Sequence, residues 1–375
     1  MMLDADKPAT LRPTYVEVNL PQLAANFNAI RKHVASSNVI PVVKANAYGH
    51  GAVLVAQAAL EAGASWCGVA RVEEALELRQ AGLDCPLLLL GYTPEARYKE
   101  MIAQRVSMTV WEIKQIENIS AAASQMGQEA KLHLKVDTGM SRLGADPEIA
   151  LDLFRRAAHL PNIRMEGLFT HFARADEADP TPTNAQEKTF RALVARLDAA
   201  GFKTQQIHAA NSAASLTRPN AYFDCVRVGI AMYGLNPSSE CPLPPAFRPA
   251  LTWKSVLSQV KTMPSGRGIS YGHKYITSRE ERIGTIPVGY ADGFRRGQGN
   301  QVLIGGRKIP VVGRVTMDQM MVQLDSLPDA SAGDEVVLLG SQGENSITAE
   351  EIADRWGTIN YEVICGIAHR VPRIY

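Results

Sequence analysis

The sequence is poor in cysteine: Cys67, Cys85, Cys225, Cys241 and Cys365 are scattered, odd in number and nowhere spaced C-x-x-C. Such a set fits neither a disulfide framework nor a structural zinc site, so a reducing compartment is the expectation. Charge of one sign is missing too. With 39 Lys+Arg against 38 Asp+Glu the net charge is +1, without the basic excess that nucleic-acid and anionic-membrane binders use for counterion release. Long apolar runs are absent: the strongest, Pro86–Leu90, is far below the ~20 residues of a membrane-spanning helix. The opening MMLDADKPAT places acids and proline where a signal peptide needs an apolar core, so a cytoplasmic location is expected. Glycine (29) and proline (21) are near average, which excludes collagen-like and low-complexity chains. What remains is an ordinary globular composition, 46% hydrophobic and 21% charged over 375 residues, long enough for two domains or one large barrel with an appendage.

From Ile40 to Val228, short Val/Ile/Leu-rich runs alternate with segments of helical spacing, the pattern of repeated βα units. Eight strands are predicted, at 40–43, 66–69, 87–90, 107–110, 131–136, 163–170, 206–209 and 225–228. Between them, Val72, Ala75 and Leu76, and later Phe190, Leu193, Val194 and Leu197, form apolar stripes that Gly82 and Gly201 terminate. The fold class expected is α/β, a (β/α)8 TIM-type barrel followed by a small mostly-β C-terminal domain. An open doubly wound sheet is the competing arrangement. A leading strand at 15–19, followed by a helix with Leu23, Phe27, Ile30 and Val34 on one face, is extra to the eight and is expected to pair outside the barrel. The stretch NPSSECPLPPAFRP reads as a boundary, and after it come short strands, among them 251–263, with Gly-rich turns and one helix opened by a Thr348/Glu351 capping box. The expected division is an extension over 1–14, a barrel over 15–240 and a β-domain over 241–375, with the leading strand able to join the latter.

In a βα barrel the residues just after each strand converge on one mouth. Here that rule collects Lys44 and Tyr48, Arg71, Lys135 and Arg142, His171, Asn211 and Ser212, and Arg227 with Gly229 and Ile230. So many cations, with small glycine-containing loops after the last two strands, point to an anionic, phosphorylated ligand. The apolar lead-in PVVK desolvates Lys44 and favours the neutral amine that attacks carbonyls, so a Schiff base with an aldehyde is the chemistry expected. Each residue taken singly reads as a solvated loop lysine, a structural histidine or a salt-bridged arginine. Their convergence is what carries the chemistry.

The block VVKANAYGHG (Val42–Gly51) resembles the pyridoxal 5'-phosphate (PLP) motif of the alanine racemases. The likeness continues in order through HLKVDTGMSRLG (His133–Gly144), GLFTHFA (Gly167–Ala173), HAANSAA (His208–Ala214), RVGIAMYG (Arg227–Gly234), ISYGHKY (Ile269–Tyr275), PVGYADG (Pro287–Gly293), GRVTMDQ (Gly313–Gln319) and NYEVICGIAHRVPR (Asn360–Arg373). It covers nearly the whole chain, whereas the Lys44 block alone is shared with other barrel-type PLP enzymes.

The resemblance implies PLP on Lys44, with Tyr48, Ser212, Gly229, Ile230 and Tyr361 at its phosphate, Arg227 at its ring nitrogen, and His171 and Asn211 close by. A permanent cation at the ring nitrogen hands it no proton and so keeps the cofactor a weak electron sink. Racemisation needs one acid/base group on each face of Cα, and the resemblance assigns Lys44 and Tyr271, the latter from the partner subunit of a homodimer. It places Arg142, Met317, Asp318 and Tyr290 around the substrate, and gives Lys135 a position carbamylated in many members. The activity implied is interconversion of L- and D-alanine, for cell-wall synthesis or alanine catabolism, with a broader alanine/serine racemase as the alternative. Thr316 and Ser141 depart from the usual pattern, at no proton-transfer group. A noncatalytic PLP carrier lacks the β-domain that holds Tyr271, and a PLP decarboxylase asks for a C-terminal catalytic cysteine in a motif absent here.

Overall fold

The computed structural model describes residues 12–35 and 37–375, so most of the expected 1–14 extension lies outside the described residues. The chain separates into two compact units, one of residues 21–248 and one of 249–375 together with the described residues up to 20. In the first unit eight short strands run in parallel: β2 (Asn38–Pro41), β3 (Cys67–Val69), β4 (Leu87–Leu89), β5 (Val106–Val110), β6 (Ala130–Lys135), β7 (Ile163–Phe169), β8 (Gln206–His208) and β9 (Cys225–Val228). β1 (Tyr15–Val18) belongs elsewhere. Strands β3 to β8 pair in sequence and β2 pairs with β9. Two seams close the ring: Val43 N–H donates to Gly68 O at 2.9 Å, and Asp224 and Arg227 N–H donate to Ile207 O and Ala210 O at 3.0 and 2.9 Å. The barrel is therefore closed, and the open-sheet alternative does not hold. Its strands are largely apolar because both faces are covered, as in β4, where Leu87, Leu88 and Leu89 are all fully buried. Gly82 and Gly201, at φ +83° and +82°, end the helices Val72–Gln80 and Thr181–Ala199 in the left-handed geometry that L side chains resist.

The second unit is built on β1 and the strands β10 (Leu251–Val256), β11 (Gln259–Met263), β12 (Gly268–Ile269), β13 (Tyr275–Ile276), β14 (Glu281–Ile286), β15 (Gln301–Ile304), β16 (Arg307–Val312), β17 (Met320–Gln323), β18 (Glu335–Gln342), β19 (Asn345–Ile347) and β20 (Arg373–Ile374). Its main sheet runs β11-β14-β17-β16-β15-β18-β10-β1-β20. The leading strand thus sits between β10 and β20, antiparallel to one and parallel to the other. The single strand expected at 251–263 is two: Leu257 and Ser258 turn aside to Asp334 O and Thr285 O, so β10 joins β1 and β18 while β11 joins β14. A helix at Asn360–Cys365, too short to show a period, was not expected. The Thr348 hydroxyl does accept Glu351 N–H at 3.1 Å and cap Ala349–Trp356.

Candidate active site

Lys44 follows β2 and Val43, which is fully buried, and is itself half-buried. Directly after it the backbone enters a left-handed turn, with Ala45, Asn46, Ala47 and Tyr48 at φ 51–54° and Gly49 at +87°. Three of these are neither Gly nor Asn, and each such residue costs roughly 1–2 kcal/mol. The turn is held by Ala45 N–H to Glu74 Oε1 at 2.7 Å, Ala47 N–H to Val43 O at 2.8 Å, and Ala52 N–H to Asn46 Oδ1 at 2.9 Å. It directs Tyr48 at Gly229, where a Cβ would stand 2.3 Å from the tyrosine Oη. Glycine at 229 is therefore a requirement of close approach.

Ser212 begins a short helix that Asn211 caps, its Oδ1 accepting Ala214 N–H at 3.0 Å. The Ser212 hydroxyl accepts Gly229 N–H at 3.0 Å, and Ile230 next to it is buried. The loops after β8 and β9 thus gather hydroxyls and backbone N–H groups in one place, beside Tyr48.

Cations crowd the same mouth. Burial and the charges of Arg227, Arg142, Lys135 and Lys44 hold His171 well below its ordinary pKa, so four of the expected residues surround it. Lys135 is buried over the Phe169 ring, 5.8 Å from its centroid. Burial, then Arg142 and Arg227, lower its amine to about 8. Arg142 is exposed on a loop folded around Asp137, whose Oδ1 accepts N–H groups of Gly139, Met140 and Ser141 at 2.9, 2.9 and 3.0 Å. Arg227 is buried, donating to Thr170 O at 2.8 Å, Ala209 O at 2.9 Å, His171 Nδ1 at 3.2 Å and His208 Nδ1 at 2.6 Å. Burial lowers its guanidinium to about 10, which still leaves it a cation at neutral pH. Arg71 stays exposed at a helix start.

The remaining residues belong to the second unit. Tyr271 tops the β12–β13 hairpin on a turn with positive φ at Ser270, Gly272 and His273, and is 70% exposed. Met317 and Tyr290 are 53% and 45% exposed, on segments joined by Tyr290 N–H to Thr316 O and Ala291 N–H to Met317 O, both at 3.0 Å. Thr316 shapes that turn: its hydroxyl donates to Gln319 O at 2.8 Å. Arg370 bridges Asp292 at 2.7 Å and Asp318 at 2.6 Å, so Asp318 is fixed by an arginine that sequence reading did not single out. Tyr361, half-buried, lies on the short helix 360–365.

A closed βα barrel with a lysine-centred cationic mouth, joined to a β-domain, defines an enzyme of the barrel-plus-sheet class. Residues 18–237 match the family "Alanine racemase, N-terminal domain" and residues 250–375 "Alanine racemase, C-terminal domain". An alanine racemase of Symbiobacterium thermophilum is 46% identical over 368 residues, 97% of each chain. The solved alanine racemase of Clostridium difficile superposes at TM-score 0.92 with 41% identity, over 96% of this chain and 95% of that one. A structure of the Bacillus anthracis enzyme with bound L-Ala-P gives 0.90 with 40% identity, over 96% and 94%. The chain belongs to the alanine racemase family, and it is an isomerase acting on amino acids.

Proposed function

We propose that the protein interconverts L- and D-alanine by a two-base route, with PLP on Lys44 and a homodimer completing each site. The observation that carries this reading is the mouth itself: a strand-end lysine beside a donor cradle so tight that a Cβ at Gly229 would meet Tyr48 Oη at 2.3 Å. The residues present fit PLP. Tyr48 and Ser212 with the N–H groups of Gly229 and Ile230, and Tyr361, would hold the phosphate; Arg227 would face the ring nitrogen, and Lys44 would bind the aldehyde. When bound, PLP takes up the electron pair left at Cα once its proton departs.

The chain's own residues do the rest. Lys44 Nζ moves the proton on one face and the partner subunit's Tyr271 hydroxyl on the other. The exposure of Tyr271, Met317 and Tyr290 in a single chain supports a site finished by a second copy. Arg142 would orient the substrate carboxylate, and Asp318, held by Arg370, would limit its size together with Met317. A carbamate on Lys135 would turn one of four crowded cations into an anion facing Arg142. The D-alanine formed suits cell-wall precursor synthesis. L-alanine incubated in deuterated water tests the reading: deuterium should appear at Cα as optical rotation decays. Lys44→Ala should abolish the PLP absorbance and the exchange together. Tyr271→Phe should keep the absorbance, slow racemisation in both directions at least about 100-fold and slow Cα deuterium exchange out of one enantiomer far more than out of the other; full-speed racemisation with exchange unchanged from both enantiomers refutes the second base.

A further inference from the structure

Arg227 is a buried cation whose four hydrogen-bond acceptors are two carbonyls and two imidazole nitrogens. None is a carboxylate. One contact leads away from the mouth into the barrel. Arginine only donates, so His208 Nδ1 must accept from it, which leaves the proton on Nε2. That nitrogen lies 3.0 Å from His133 Nδ1, which must in turn accept, and His133 Nε2–H then donates to Glu166 Oε2 at 3.3 Å. Every tautomer in the string is set by the arginine at one end and the carboxylate at the other. Glu166 also accepts the Ser107 hydroxyl and pairs with Lys131 at 3.4 Å. Both histidines are fully buried and Glu166 is 3% exposed.

The barrel is bent to make this contact. Leu132 pairs with Met165 but His133 with Gly167, so Glu166 is the extra residue of a β-bulge, a device that re-aims a side chain. Gly167 leaves room beside it: a Cβ there would stand 2.2 Å from His133 Nδ1. Phe169 stacks on His208 with centroids 4.7 Å apart and planes at 14°, and Trp66 meets the His133 ring edge-on at 5.8 Å. Each ring is thus clamped by an aromatic neighbour. We propose that Glu166 is the remote counter-ion of Arg227, acting through His133 and His208 as a positioning residue that fixes the orientation of the guanidinium facing the cofactor. This rests on the reading that Arg227 meets the ring nitrogen of PLP. The carboxylate's charge polarises both imidazoles toward Arg227 while remaining too far away to offer the cofactor a proton.

The test uses the purified full chain labelled with ¹⁵N at histidine rings, with and without PLP, signals being assigned through His133→Asn and His208→Asn. In the unsubstituted protein both rings should be neutral with the proton on Nε2; an Nδ1–H form or an imidazolium at either one overturns the proposal. In Glu166→Gln the His133 and His208 signals should shift, the absorbance of bound PLP should change, and kcat should fall about 10-fold with KM within about 2-fold. Glu166→Asp should restore part of each. Unchanged nitrogen signals and absorbance in Glu166→Gln overturn the proposal even if activity drops. Should Glu166→Gln fail to fold, the ring signals of the unsubstituted protein decide alone. A chain that binds no PLP refutes the racemase reading instead, and the ring measurement without cofactor still judges the string.

Discussion

Lys135 shows how one residue's surroundings set its chemistry. Three other cations act on it, Arg142, Arg227 and Lys44, and Asp137 opposes them. With the pKa depressed to about 8, the neutral amine that attacks carbon dioxide is half populated near that pH and dominates above it. Protein equilibrated with ¹³C-bicarbonate should therefore show a carbamate ¹³C signal that rises as pH passes through about 8 and vanishes in Lys135→Ala. A signal surviving in that variant would place the adduct on another amine. The strand-end residues of the mouth were legible because a barrel sends them all one way. His133, Glu166 and His208 were not, since they sit within strands where sequence alone expects apolar side chains. The trace they leave is polar letters in buried runs, LHLK, MEGLF and QIHAA.

At the scale of the element, the left-handed turn over 45–48 and the loop at 229 form one mechanical piece. Gly229→Ala should push Tyr48 aside, because the new Cβ has 2.3 Å where a carbon needs well over 3 Å. PLP affinity, read by equilibrium dialysis, should fall at least about 10-fold, roughly 1.4 kcal/mol, while the fold persists. Little in A-N-A-Y-G announces the turn: Asn46 and Gly49 accept positive φ readily, but Ala45, Ala47 and Tyr48 do not. Local propensity is overruled there by the contacts that hold it. The Thr348 cap is the opposite case, where a four-residue pattern and the structure agree. Thr348→Ala should lower the urea midpoint of unfolding by the equivalent of about 1 kcal/mol, leaving activity intact.

Across the whole molecule, the buried ionisable string shapes acid stability. Burial depresses the pKa of His133 and His208 below 6.5, so the unfolded chain takes up protons there that the native one refuses. Stability is full above pH 6.5 and declines below it, at a slope of up to about 3 kcal/mol per pH unit for two such groups. Glu166, lowered to about 2 mainly by its bonds to His133 and Ser107 against the cost of burial, adds stability that is present above about 4.5 and lost as pH falls toward 2. Urea midpoints between pH 7.5 and 4 should show the first decline, and His208→Asn should flatten it. The alternation of apolar runs and helical stripes made the closed barrel legible, because eight parallel strands in sequence suffice to complete a ring, whereas the pairing partners of strands far apart in sequence leave no such count. The second sheet is of that kind: Val16 pairs with both Trp253 and Arg373. During synthesis, a ribosome releases Val16 long before either mate exists. The barrel sequence has time to organise while the early strand waits with its edges bare, open to pairing with other chains until Arg373 has been made.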